Sequence, residues 1–171
     1  TVGGGSGNSA SGAHTTIAGG NVNIASGNWA TIAGGSGNTA SGLYAAVPGG
    51  NANTASGNWA TVAGGSANTA GGLYAAVPGG IDNLAGGNYS FAAGRHAKTN
   101  AAGAFVWADS NDFNFAPGVA NAFSARTTGG FRIYLGIDGT GGTTWQCTVY
   151  NGGSWGCSSD RDVKENFQPV N

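Results

Sequence analysis

Methionine is absent from this chain, and no glutamate occurs before Glu165. Leu, Ile, Val and Phe together supply only 27 of its 171 residues, below the share with which a chain usually builds a conventional core. Low apolar content with high net charge would mean disorder, but the net charge is only −1. Charge itself is scarce, since Asp82 is the single charged side chain between Thr1 and Gly94. A near-neutral stretch of that length offers phosphates no field, so nucleic acid is not an expected partner. No apolar run approaches a helical membrane span, so membrane insertion of this segment is not expected. No leader peptide is visible, and the opening TVGGG reads as the interior of a longer chain. His14 and His96 each stand without an acidic neighbour at ligand spacing, so no metal or cofactor is expected.

Glycine is plentiful instead, at 35 residues, and it falls in a pattern. Blocks of fifteen start at Ser6, Asn21, Ser36, Asn51, Ser66 and Ile81. The third position is Asn in all six, the fifth Ala and the seventh Gly; the twelfth runs Ile17, Ile32, Val47, Val62, Val77, Ala92. Such a unit is too short for paired helices, and its paired glycines disfavour helix. It suits two short strands and two tight turns, one coil of a parallel β-roll. Stretches such as Trp29 to Ala33 read as the better strand. Coils stacked at strand spacing would form a rod of roughly 29 Å for six of them, each coil burying its neighbour's face.

Side-chain alternation points the aliphatic twelfth position and the small tenth (Ala30, Ala45, Ala60, Ala75) inward. The ninth then points outward, and it holds His14, Trp29, Tyr44, Trp59, Tyr74 and Tyr89. A ladder of exposed aromatics needs cover, and a second copy of the chain is the simplest.

The run GGSGNTASGLYAAVPGGNANTASGNWATVAGG resembles the head repeats of trimeric autotransporter adhesins, the YadA-like family, whose coils are often one residue shorter. The resemblance implies a left-handed parallel β-roll and three identical rolls round one axis. The expected architecture is therefore an all-β homotrimer, with roll repeats over 1–108 and a small β-rich trimeric cap over 109–158. Ala101 and Gly103 are read as sitting one residue late, a register slip closing the roll. FRIYLGI reads as a strand and GTGG as a turn.

Two cysteines flank a turn in TWQCTVYNGGSWGC. A hairpin looping at Asn151-Gly152-Gly153 sets Cys147 opposite Cys157 and Val149 opposite Trp155, close enough for a disulfide. Two free thiols packed at a trimer axis are the alternative. The closing SSDRDVKENF resembles the start of the endosialidase-type intramolecular chaperone of phage tail spikes and bacterial fibres, here residues 159–171. In that family the chain is trimmed just before a Ser, which implies Ser159 as nucleophile and Lys164 as its base in a full precursor. A lysine base needs its pKa lowered by burial, and a stub this short is expected to be inactive.

Three functions compete. The expected one is a non-enzymatic fibre or adhesin segment, exported to a cell surface or borne on a phage tail fibre, whose tip binds a surface glycan. Exposed aromatics beside polar groups suit sugars, which makes Trp145, Tyr150 and Trp155, with Asp112, Asn114 and Arg132, the candidate binding residues. A polysaccharide-degrading spike needs two convergent carboxylates, and only Asp82, Asp109, Asp112 and Asp138 precede the tail. An ice-binding solenoid would use the Thr39, Thr54, Thr69 column, which Ile24 interrupts.

Overall fold

A computed structural model of the chain describes residues 1–137, 143–149 and 155–158, with side chains through Arg132. Two units cluster separately, Thr1–Arg126 and Thr127–Asn171. Among the described residues there is no helix.

The first unit is a parallel β-solenoid. One sheet stacks seven two-residue strands in chain order, from Ser9–Ala10 to Lys98–Thr99. A second runs in one path from Thr16–Ile17 through Phe91–Arg95 and Phe105–Ala108 to Phe123–Arg126. Single parallel bridges from Ser6 to Ile81 form a third ladder. Thr39 pairs Thr54 and Ala40 pairs Ala55, so one turn of the solenoid is one fifteen-residue block. Backbone N–H groups reach the next coil directly, as from Thr39 to the Asn53 carbonyl at 2.8 Å.

The scarcity of aliphatics is explained by how little each coil must fill. Its core slice is one Ile or Val with two alanines, such as Ile32 with Ala30 and Ala25, all fully buried. The expected inward pointing of the tenth and twelfth positions is observed. The fifth position is buried as well, and so is the third. Asn23, Asn38, Asn53 and Asn68 are 0% exposed. The backbone N–H of Asn38 donates to Asn23 Oδ1 at 2.9 Å, and Asn53 repeats this to Asn38 at 3.0 Å. Each Nδ2 donates to two turn carbonyls, from Asn38 to Gly34 and Gly50 at 3.1 and 3.0 Å. Asparagine alone offers an acceptor and two donors on so short a stem, which is why this position does not vary.

Three expectations need correction. The strand expected from Trp29 to Ala33 is only Thr31–Ile32, because Trp29 lies in a turn at φ 56°. The register slip runs the other way. Leu84 pairs Lys98 and Ala85 pairs Thr99, so Thr99 takes the alanine position, and this coil is a residue short, not long. The loss falls in the turn after the strand: Gly80 pairs Gly94, so Ala93-Gly94 does the work of Pro78-Gly79-Gly80. The solenoid also continues past residue 108. Phe105 pairs Phe123 and Ala108 pairs Arg126, so the chain makes an excursion over 109–122 and rejoins the same sheet. That long excursion erases the period from the sequence while leaving the pairing intact.

The second unit holds a three-stranded antiparallel sheet in the order Phe131–Ile137, Thr143–Val149, Trp155–Ser158. Its last hairpin sets Val149 opposite Trp155 and Cys147 opposite Cys157. The side chains of these cysteines, and the GTGG turn, lie outside the described residues.

Candidate functional site

The most extended surface feature of the solenoid is the ninth-position column. His14, Trp29, Tyr44, Trp59, Tyr74 and Tyr89 all adopt left-handed backbone, at φ 55° to 59°. Such a conformation costs a non-glycine residue about 1–2 kcal/mol, which the packing of the column offsets. Successive rings stack at 5.0 to 5.7 Å with interplanar angles of 12° to 17°. The rings cover one another's faces and leave their edges to solvent, with Trp59 42% and Tyr89 63% exposed. The column therefore points outward as expected, but from a turn and not by alternation along a strand. Asn28, Asn58 and Asn88 flank it, and each Oδ1 accepts from the coil before at 3.0 Å. Gly103, at φ 66°, takes the next place and ends the rings; its N–H donates to the Asn88 carbonyl.

The second feature is a charged cluster where the excursion folds against the last coils. His96 is not alone, contrary to expectation. Its Nδ1 lies 2.7 Å from Asp82 Oδ2 and its Nε2 2.7 Å from Asp112 Oδ1. Stacking sets side by side residues that the sequence separates by a full coil. Lys98 Nζ donates to Asp82 Oδ2 at 2.7 Å, and Arg95 pairs with Asp112 at 2.8 Å. The Lys98 hydrogen bond, helped by His96 and opposed by partial burial, holds the Asp82 carboxyl below the usual carboxylate range. Arg126 secures the excursion. Its Nε donates to Asp109 Oδ1 at 2.9 Å and its terminal nitrogens to the carbonyls of Phe113, Asn111 and Arg95, with the Phe115 ring 5.8 Å away.

This cluster is built to hold a loop. Asp82, Asp112 and Asp109 are each engaged by a cation, and among the described residues no set of His, Cys and carboxylates is arranged to hold a metal ion. Asp112 is thus an ion-pair partner, and Asn114 is an exposed residue of the same excursion. Arg132 is exposed on the first strand of the other unit. Trp145 and Trp155 fall on strands of that unit, Trp145 opposite Gly136 beside a bulge. Their side chains, with Tyr150, Ser159 and Lys164, lie outside the described residues. The structure therefore divides the five described candidates between two units, Asp112 and Asn114 in one and Arg132, Trp145 and Trp155 in the other. Sequence reasoning overlooked the Asn column, although its invariance was visible, and Arg126, which no local pattern marks. No protein-family model matches the chain, and no curated protein matches it.

Proposed function

We propose that this chain is a non-enzymatic segment of a homotrimeric surface fibre or adhesin. The solenoid acts as a spacer, and the residues beyond it serve in attachment to a cell-surface glycan. The observation that carries this reading is the aromatic column, a continuous stripe of ring edges along five coil steps. A cover for such a stripe must keep step with it, and a second copy of the chain has the same rise per coil. A helix bundle or an irregular loop would match it at one coil and miss at the next. The YadA-like repeats and the chaperone-like tail support the same reading, with an exported setting at a cell surface or on a phage tail fibre. Ser159 and Lys164 would serve only in trimming a longer precursor.

Light scattering tests the assembly. A mass three times that of the 16.6 kDa chain, persisting at micromolar concentration, is expected. A folded monomer there would refute it. Replacing Trp59 and Tyr44 together by serine should shift the mass toward monomer while the coil spectrum in circular dichroism persists.

A further inference from the structure

The repeat that builds the solenoid leaves two copies of it without a unique alignment. Trp29, Tyr44, Trp59 and Tyr74 alternate along the column. Sliding one copy past another by two coils, roughly 10 Å, therefore sets like rings against like. Asp82 is the single charged side chain between Thr1 and Gly94, so these coils carry no charge pattern to forbid the slip. Pairing that repeats specifies register weakly, and the slip costs only the overlap of the end coils. The departures from the repeat gather in the last three coils.

In the column the rings stop at Tyr89. Gly103 takes the next place and Asn121, whose N–H donates to the Ala102 carbonyl, the one after. Two residues further on, on the outer face of the second sheet, the first five coils carry Thr16, Thr31, Ala46, Thr61 and Ala76. The last three carry Phe91, Phe105 and Phe123, stacked at 4.4 and 4.8 Å. The stripe of rings thus passes from the turn to the sheet at the coil of Tyr89 and Phe91, and it runs on to Phe123, 62% exposed. Beside it, where earlier coils hold Ala33, Pro48, Ala63 or Pro78, stands Trp107, 44% exposed and in register with Ala93 and Ala125. A cleft of about 240 Å³ opens between this indole and Ala108, Asp109 and Ser110, and it exposes no polar surface. Its charged edge is neutralised within the chain, Asp109 by Arg126 at 2.9 Å and Arg95 by Asp112 at 2.8 Å.

We propose that this patch is the register lock between copies of the chain: the Trp107 indole of each copy seats in its neighbour's cleft, against the indole resident there. Copies related by rotation about an axis along the stack meet at equal heights, and a closed ring of three joins one surface to a different one. Trp107 and the cleft are such a pair, knob and hole on the same coil. An apolar hole whose rim charges are already paired takes an apolar side chain. The ring stripe that runs into the patch is the surface assigned above to a second copy, so one neighbour covers both. A slipped pair leaves the indole outside its hole and no longer closes into a ring. The inference rests on the trimer reading above and adds what fixes its alignment.

The test reads two quantities on the whole chain. Analytical ultracentrifugation gives the midpoint concentration of assembly, and photo-oxidative tyrosine coupling with mass spectrometry gives the alignment. A Tyr74 to Tyr74 link can only join two copies, at equal height. In mixtures of isotope-labelled and unlabelled chain, a Tyr44 to Tyr74 link across copies marks a two-coil slip. The parent should be a trimer with links of the first kind. Trp107→Ala and, separately, Ala125→Glu, which sets a charge beside the indole, should raise the midpoint about tenfold or more and bring in links of the second kind. Should Trp107→Ala fail to fold, Ala125→Glu decides. Either effect missing overturns the lock and leaves the trimer standing. Links between different coils in the parent trimer overturn the lock as well, since no alignment is then fixed. A monomeric parent overturns lock and trimer together.

Discussion

Asn53 makes three hydrogen bonds that no other side chain could replace. It accepts from the Asn68 N–H at 3.1 Å and donates to the Gly49 and Gly65 carbonyls at 3.1 and 3.0 Å. Asn53→Ala strands the buried Asn68 N–H and the Gly49 carbonyl, while the Gly65 carbonyl keeps the Asn51 N–H, so a loss of about 1–3 kcal/mol is expected by denaturant titration. Asn53→Asp keeps the acceptor but turns a carboxylate toward those carbonyls, and should be no milder at neutral pH. The glycines divide just as sharply. A Cβ on Gly42 would lie 2.0 Å from the Gly57 carbonyl oxygen, whereas one on Gly34 meets nothing within 4 Å. Gly34→Ala should be neutral or stabilising by about 0.4–1 kcal/mol, and Gly42→Ala should force adjoining coils apart. Equal melting temperatures for the two variants would contradict this account. Both columns were visible in the sequence as invariance, but invariance does not say which constraint acts. The Gly at position seven opens a turn, its carbonyl accepting from the residue three on, as Gly42 does from the Ala45 N–H, and it must be Gly because one backbone passes another too closely for a Cβ.

At the scale of the element, the coil was legible because it repeats and its faces follow from which positions tolerate only small or aliphatic residues. The excursion over 109–122 was not legible. Its length breaks the period, and the contacts that fix it join Asp112 to His96 and Arg95, with His96 held in turn by Asp82 a coil away, and Arg126 to carbonyls far back in sequence. One consequence is a pH dependence. The Asp82 carboxyl has its pKa lowered in the folded chain, chiefly by Lys98. The stabilisation it lends is therefore complete above the ordinary aspartate value near 3.9, and it fades as pH falls through the lowered folded value. The pair is partly exposed, so the effect is modest, about 0.2–1 kcal/mol. The protection factors of amides in residues 109–115, corrected for intrinsic exchange, should fall on acidification below pH 4, and Asp82→Asn should lower them already at neutral pH. Protection insensitive to both changes would remove this tie from the account.

For the whole molecule, an architecture of stacked parallel coils was readable from fifteen-residue spacing alone, but its extent was not. The expected end near residue 108 fell short because a boundary read from periodicity marks where repetition stops, not where the sheet does. The candidate binding residues were drawn from the aromatic-rich end for the same reason. The stacking also has a mechanical consequence. Bonds between coils run along the direction of stacking, so tension between the ends of one solenoid loads the outermost coil's bonds first. The structure should come apart by peeling, one coil at a time. Each event would free about fifteen residues, roughly 50 Å of contour, at similar forces, because successive coils are held by the same backbone and asparagine bonds. Stretching a single chain in an optical trap should therefore give a staircase of equal steps, where a globular fold of this size would give one large rupture.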